Sequence, residues 1–306
     1  MCYNLVTILG PTASGKTRLG AYLSSKFNGE IISADSRQVY KGMDIGTGKD
    51  YDDYEVNGRK VPFYLIDIVD PSEEYNLFRY KKDFIECHSS ILKRKKTPFL
   101  VGGTGLYISS ILNNYNLITA DSRDEIIKSI QKLPIKELQE MLLKLKPQLH
   151  NTTDLIDRER IITAIAIEKS RIENPASSML NYEVNSLNIG INIERSAQKE
   201  FITERLKKRL NTGMIEEVEK LLASGISHEK LLFFGLEYKY VSLYLQNTLT
   251  FNDMFQKLNS AIHQFAKRQM TWFRKMEKEG ITIHWLNGFN PEEAENILLN
   301  SGLRPL

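Results

Sequence analysis

The stretch from Asn4 to Thr17, NLVTILGPTASGKT, leaves few folds open to this chain. An apolar run reaches Gly10, a glycine loop follows, and a helical pattern extends from Gly15 to about Ser25, giving strand, phosphate loop and helix. Gly10, Gly15, Lys16 and Thr17 complete G-x-x-x-x-G-K-T in the setting that motif requires. The glycines let backbone N–H groups turn toward an anion, and the helix N-terminus adds partial positive charge. Lys16 reaches a terminal phosphate, and the Thr17 hydroxyl can ligate Mg²⁺. Taken alone, the loop points to a kinase or another NTPase.

The rest of the pattern places that loop in a parallel sheet. EIIS runs to Asp35, FYLIDI to about Asp67 and PFLV to Gly102, with LNIGINI and ITIHWL reading as later strands. Apolar strands alternating with helices predict an α/β fold, a P-loop parallel sheet flanked by helices. Leu77, Tyr80, Phe84, Cys87 and Ile91 recur at helical spacing and predict a crossover helix. Strand-like runs then disappear and amphipathic segments such as IKELQEMLLKLK take over, so an all-helical subdomain is expected at 121–186. The catalytic core would be discontinuous, 1–120 and 187–306. Ser122 with Glu125 reads as a capping box, and Pro291 opens the last helix.

The chain has 306 residues, 42% of them hydrophobic, enough for one large domain or two unequal ones. Its apolar runs are far shorter than the roughly 18 residues of a membrane span, so no membrane partner is expected. The N-terminus has no basic segment or cleavage site, which reads as cytoplasmic. Cys2 and Cys87 make neither a disulfide framework nor a zinc site, and Cys87 reads as a small buried hydrophobe. A net charge of +3 permits a nucleic-acid partner without requiring one. Lys93–Lys96 reads as a solvated helix end, and Lys207–Arg209 is a second basic cluster.

Several residues should face the loop. Asp35 ends a strand, where ligands of open parallel sheets bind, so it is a candidate acid–base group. It could equally open a turn or hold a metal-bound water. The segment from Ser33 to Asp50 lacks apolar periodicity, reads as too polar for core, and suits ligand contact. Thr104, in VGGTGLY, should face the same cleft or cap the next helix. In AIHQFAKRQMTWFRK, Ile262, Phe265, Gln269, Trp272, Phe273 and Met276 form a core stripe, opposite Lys267, Arg268, Arg274 and Lys275. Five scattered histidines show no transition-metal spacing.

GPTASGKT, DSRQVYKGMDIGTGK, FYLIDIVDP, LVGGTGLY and AKRQMTWFR occur in the order and approximate spacing of the tRNA dimethylallyltransferase, or tRNA isopentenyltransferase, family. The chain resembles that family over most of its length. The resemblance implies transfer of a dimethylallyl group from dimethylallyl diphosphate to the exocyclic amine of the adenine beside the tRNA anticodon, with Mg²⁺ as cofactor. The loop would then hold a departing diphosphate through Gly10, Pro11, Thr12, Ala13, Ser14, Gly15, Lys16 and Thr17, with Arg268 and Arg274 projecting toward diphosphate or tRNA backbone. Asp35 would accept the amine proton, Thr104 would sit at the reaction centre, and Asp35, Ser36, Arg37 and Gln38 would touch the flipped adenine and its neighbours. Glu159, Arg160 and Thr163 would contact the anticodon stem-loop, and the protein would act as a monomer.

The chain departs from the family pattern where Glu125 and Thr163 stand for arginines, and where FGLEYKY, Phe234 to Tyr240, replaces glycine-tyrosine followed by a basic residue. A P-loop small-molecule kinase, an adenylate-prenylating enzyme and a weakened tRNA-binding paralogue are the other readings. The DSRQVY and GGTGLY motifs favour prenyl transfer over the kinase.

Overall fold

The computed structural model describes residues 3–115, 117, 121–145, 157–173 and 181–305, apart from the side chains of 121–124 and 171–173. From the N-terminus, β1 (Leu5–Leu9) enters the phosphate loop and α1 (Lys16–Lys26), and β2 (Gly29–Ala34) follows. A hairpin of β3 (Glu55–Val56) and β4 (Arg59–Lys60) precedes β5 (Phe63–Tyr64), α2 (Leu77–Lys93), β6 (Thr97–Gly102) and α3 (Gly105–Leu112). Three helices, α4 (Asp121–Ile130), α5 (Ile135–Leu145) and α6 (Arg158–Glu173), stand before β7 (Ser186–Asn192). Helices α7 (Arg195–Asn211), α8 (Met214–Ala223), α9 (His228–Phe233), α10 (Leu236–Leu245) and α11 (Phe251–Lys278) lead to β8 (His284–Asn287) and α12 (Pro291–Asn300).

Six strands form one parallel sheet in the order β5-β2-β6-β1-β7-β8. Every residue of β1 and β2 is buried, as a sheet covered on both faces demands. The carboxyl ends of β1, β2 and β6 are neighbours, so the phosphate loop, Asp35 and Thr104 leave the sheet along one edge.

Two local expectations change. Only Phe63 and Tyr64 of FYLIDI join the sheet, because Leu65 (φ 63°) and Asp67 (φ 55°) take left-handed conformations that end the strand. The chain then pairs with the segment after β2, Asp67 and Ile68 donating to the carbonyls of Gln38 and Val39. That segment is not too polar for core, since Val39, Tyr40 and Met43 are buried in it. The hairpin was legible in Asn57-Gly58, whose paired positive φ values (52° and 72°) form the turn that a tight hairpin needs.

The crossover helix α2 buries Tyr80, Phe84 and Ile91, with Lys81 and His88 beside them. Leu77 and Cys87 are half-buried, and burial pushes the Cys87 thiol up to about 11. Cys2 lies outside the described residues. The Lys93–Lys96 cluster is not simply solvated: Arg94 and Lys96 both pair with the buried Glu30, which also accepts a hydrogen bond from Tyr64. Pro291 does open α12, with Asn290 capping the Glu293 N–H.

The chain divides into two compact units, Met1–Asn114 with Glu183–Leu306, and Tyr115–Tyr182. The second has its own core, in which Ile126, Ile130, Leu138 and Leu142 meet Ile161, Ile162, Ile165 and Ala166 of α6. Helix α4 starts at Asp121, which puts Ser122 inside it; the Ser122 side chain lies outside the described residues, and Glu125 is exposed. No helix among the described residues is long and apolar enough to cross a membrane.

Glu30 supplies a test of this frame. Burial alone would raise its carboxyl pKa, yet the hydrogen bonds from Arg94, Tyr64 and Lys96 hold it below the usual value. A depressed folded pKa stabilises the protein above the unfolded pKa of about 4.3, and that contribution is lost as pH falls through the folded value. Glu30→Gln should cost about 1–2 kcal/mol at pH 7, because its cationic partners keep solvent access. Denaturant titration across the acid range should show the difference from wild type shrinking below about pH 4.

Candidate active site

The phosphate loop is built on left-handed backbone at Ala13 (φ 60°) and Gly15 (φ 79°). Gly15 is the N-cap of α1 and no side chain caps that end, so the first N–H groups of the helix remain for a ligand. The Lys16 ammonium donates to the Pro11 carbonyl at 3.3 Å, folding back over the loop. Gln269 of α11, expected as part of an apolar stripe, fixes the loop's far side. Its Oε1 accepts from the Thr12 N–H and its Nε2 donates to the Gly103 carbonyl, both at 2.8 Å, tying the phosphate loop to the glycine turn after β6.

Helix α7 adds two arginines, Arg205 and Arg209, which lie one turn apart and so share a face. Arg205 donates to Thr12 Oγ1 at 3.4 Å and pairs with Asp50 at 2.6 Å. Arg209 donates to the Gly46 carbonyl at 3.4 Å and pairs with Glu237 at 3.3 Å. Its Nε and Nη2 are buried and without a partner. Burial, reinforced by Arg205 and Arg209 and partly offset by Asp35 and Asp50, pushes the Lys16 ammonium down to about 8. Burial and Arg205 likewise push Arg209 down to about 10. Three crowded cations with unsatisfied donors form a cradle for a multiply charged anion.

Asp35 lines the same cleft. Its Oδ1 accepts from the N–H groups of Arg37 (2.9 Å) and Gln38 (3.4 Å), so the turn-opening role is real, while Oδ2 makes no hydrogen bond among the described residues. Thr104 is the N-cap of α3 by position, but its hydroxyl does not cap; it accepts from the Ser36 N–H at 3.0 Å and fastens the two strand ends together. Gln38 donates to the Gly48 carbonyl at 3.0 Å. Gly48 (φ 70°) lies against the guanidinium groups of Arg205 and Arg209, so a Cβ there would be strained by its left-handed backbone and would displace those two side-chain ends.

Thr12, Lys16, Thr17, Asp35, Ser36, Arg37, Gln38, Thr104 and Arg268 line one cleft of about 460 Å³, together with Arg205, Arg209 and Glu237. Gly10, Pro11, Ala13, Ser14 and Gly15 complete the loop beneath it, with Ala13, Ser14 and Gly15 lining a second cavity on its outer side. Arg274 is not part of the cleft wall: six residues beyond Arg268, it is rotated about 120° off that face of α11. Phe265 departs from the core stripe and is exposed at the cleft rim. Glu159, Arg160 and Thr163 lie on α6 of the second unit. There Arg160 faces Asp157 at 3.7 Å and the Thr163 hydroxyl donates to the Glu159 carbonyl.

Sequence reasoning missed Glu217 of α8. Its buried carboxylate accepts from the N–H groups of Asp44, Ile45 and Gly46 at 2.7–3.0 Å and from the Tyr238 hydroxyl at 2.7 Å, holding the loop that carries Gly48. No spacing rule joins residues so far apart. The Arg205/Arg209 pair carried a signal, the basic cluster at Lys207–Arg209 and the one-turn spacing, but nothing in the sequence tied it to the phosphate loop.

A parallel sheet whose central strand feeds a phosphate loop, facing three cations and an aspartate, defines a P-loop protein that handles a phosphorylated small molecule. The model of the IPP transferase family matches residues 38–276, and the chain belongs to that family. It is 49% identical over 293 residues to "tRNA dimethylallyltransferase 2" of Bacteroides fragilis, covering 96% of this chain and 95% of that one. It is 48% identical to "tRNA dimethylallyltransferase 1" of Syntrophus aciditrophicus, covering 97% and 98%. Among solved structures, the tRNA isopentenylpyrophosphate transferase of Bacillus halodurans matches with a TM-score of 0.67 at 31% identity, over 97% and 95% of the two chains. A eukaryotic dimethylallyltransferase acting on tRNA shares the fold, with a TM-score of 0.75 at 21% identity over 97% and 78%.

The depressed Lys16 pKa makes anion binding pH-dependent. Lys16 carries its charge below about pH 8 and loses it above, so affinity for inorganic diphosphate should fall by up to tenfold per pH unit beyond that point. Lys16→Arg keeps the charge at every accessible pH. Calorimetric titration from pH 7 to 9.5 should show wild-type affinity declining relative to the arginine variant, a ratio in which the ligand's own titration cancels.

Proposed function

We propose that this protein transfers a dimethylallyl group from dimethylallyl diphosphate to the exocyclic amine of the adenine 3′-adjacent to the anticodon in tRNA. It would do so as a cytoplasmic monomer, with Mg²⁺. The observation that carries this reading is that the cationic cradle and Asp35 line one and the same cleft. In the reaction the carbon–oxygen bond to diphosphate breaks, the carbon–nitrogen bond to adenine forms, and the amine loses a proton. Lys16, Arg205, Arg209 and the open N–H groups of α1 stabilise the charge that develops on the departing diphosphate. Asp35, oriented by the backbone N–H groups on its Oδ1, keeps Oδ2 to hold the amine and accept its proton. Thr104, linked to Ser36, lines the same cleft.

The residues fit a magnesium ion held mainly by its substrate. No group of three His, Cys, Asp or Glu side chains among the described residues could cage a metal, whereas the Thr17 hydroxyl, a hard oxygen donor, lines the cleft. Bound with diphosphate, the ion would supply further charge neutralisation at the leaving oxygens.

The adenine has to leave its stack to reach Asp35, which puts Ser36, Arg37 and Gln38 against the flipped base and its neighbours. The second unit, with Glu159, Arg160 and Thr163 on α6, is assigned to the anticodon stem.

Nucleoside mass spectrometry of tRNA incubated with the purified protein, Mg²⁺ and dimethylallyl diphosphate tests the reading directly: prenylated adenosine is expected, and its absence overturns it. Asp35→Asn should retain both substrates but slow single-turnover transfer by about 10²-fold or more, as loss of a positioned base does. A variant transferring at the wild-type rate would return Asp35 to its turn-forming role alone. For the stem, Thr163→Arg should tighten tRNA binding and steepen the log–log salt dependence by about one unit, the signature of one added phosphate contact. An unchanged slope over a salt series would remove α6 from the tRNA surface.

A further inference from the structure

One rim of the cleft carries side chains that neither the cradle nor Asp35 uses. Leu232, Phe233 and Phe265 line it, and all three are exposed, Phe233 at 61%. Scattered surface apolar groups need no explanation, but three exposed ones in the lining of a single cleft do. The aromatic two are also capped by cations. The Arg37 guanidinium lies 5.1 Å from the Phe233 ring centroid, and that of Arg268 lies 5.9 Å from the Phe265 centroid. Phe233 is braced from behind by Phe234, edge-on at 6.2 Å, and Phe234 is itself buried against Tyr40 at 4.9 Å. The ring is thus fixed at its base and covered by Arg37, yet most of its surface faces water.

We infer that Phe233 is a stacking platform for the unpaired RNA base next to the target adenine, sandwiched with Arg37 and steered by Arg268 and Lys239, which line the same cleft. The chemistry selects this occupant. Interleaved aromatic rings and cations recognise single-stranded nucleic acid, because every base has a π-face and every linkage a negative charge. A prenyl chain is uncharged and would leave Lys239 and Arg268 without a role. Extrusion of the adenine also exposes a face of its neighbour, which a stacked ring covers. The inference rests on the proposed transfer to tRNA and adds to it a residue that positions the strand.

The test uses the whole protein and an anticodon stem-loop RNA carrying 2-aminopurine on each side of the target adenine in turn. Wild-type protein should quench one of the two probes. Phe233→Ala should abolish that quenching and weaken RNA binding by about 5- to 100-fold, the range for loss of one base–aromatic stack. Phe233→Trp should restore both, while Phe233→Leu, apolar but without a π-face, should restore neither. Binding of dimethylallyl diphosphate should stay within twofold throughout. Because Phe233 is exposed, these variants should fold, which melting temperatures verify. Three outcomes overturn the platform: RNA affinity and quenching unchanged in the alanine variant, full rescue by leucine, or a loss confined to dimethylallyl diphosphate, which would make Phe233 a wall of the prenyl pocket. A wild-type protein that prenylates the stem-loop while the alanine variant does so with equal affinity sinks the platform alone. A wild-type protein that yields no prenylated adenosine sinks the transfer reading and the platform with it.

Discussion

The burial and crowding of Lys16, Arg205 and Arg209 is the constraint around which the cleft is arranged. Burial, reinforced by repulsion among the cations, disfavours their charged state, which is why Lys16 and Arg209 both lose basicity. The protein offsets this only in part. Asp50 pairs with Arg205 near the surface, and Glu237 pairs with Arg209 at depth, where burial raises the Glu237 pKa and weakens it as a counter-charge. Among the described residues two Arg209 donors are unpaired, so the site is left short of negative charge, an imbalance that a diphosphate would relieve under the proposed function. On that proposal the same imbalance would favour the transition state, because negative charge would grow on the leaving group where the cations lack it.

Such a cluster holds its geometry only if the backbone around it cannot relax. Two long-range clasps prevent that. Glu217 takes three consecutive backbone N–H groups and a tyrosine hydroxyl, locking the segment at Asp44–Gly46 to α8 and α10. Gln269 joins the phosphate loop to the turn after β6. Both side chains are buried, and for each the penalty of losing a partner exceeds the gain from any single bond. Both clasps require α8, α10 and α11 to be docked, so the geometry of the cleft is set by tertiary packing even though the phosphate loop is local in sequence.

That difference explains what could be read from the chain. The phosphate loop, Asp35 and Thr104 were legible because each sits where an apolar run meets a glycine or a turn, and the parallel sheet then aligns the strand ends without further information. Strand periodicity also revealed the sheet, but not where β5 stops, since the left-handed residues Leu65 and Asp67 carry no signature in their side chains. Arg205, Arg209, Glu217 and the clasping role of Gln269 were not legible as site residues. Their helices read as ordinary amphipathic segments, and only tertiary docking shows which polar side chain turns inward. Gln269 is the clearest case, a polar residue on an apolar stripe that looked like tolerated core.

The proposed roles divide between the two units along a physical line. The residues assigned to bond-making follow the fully buried strands β1 and β2, where a change of one methyl group disturbs packing on both faces. The second unit has a separate core, none of whose members belongs to the core beneath the phosphate loop. Substitutions on its exposed surface can therefore alter charge without moving Lys16 or Asp35. Glu125 and Thr163, which stand where the resemblance would place arginines, are surface residues of this kind: Glu125 is exposed, and the Thr163 hydroxyl is turned back onto the carbonyl of its own helix. On the proposed placement of the anticodon stem, losing phosphate contacts there would lower affinity for RNA of every sequence by a similar factor. It would leave intact the step proposed for the cradle, so such departures would tune how tightly the substrate is gripped and not which bond is made.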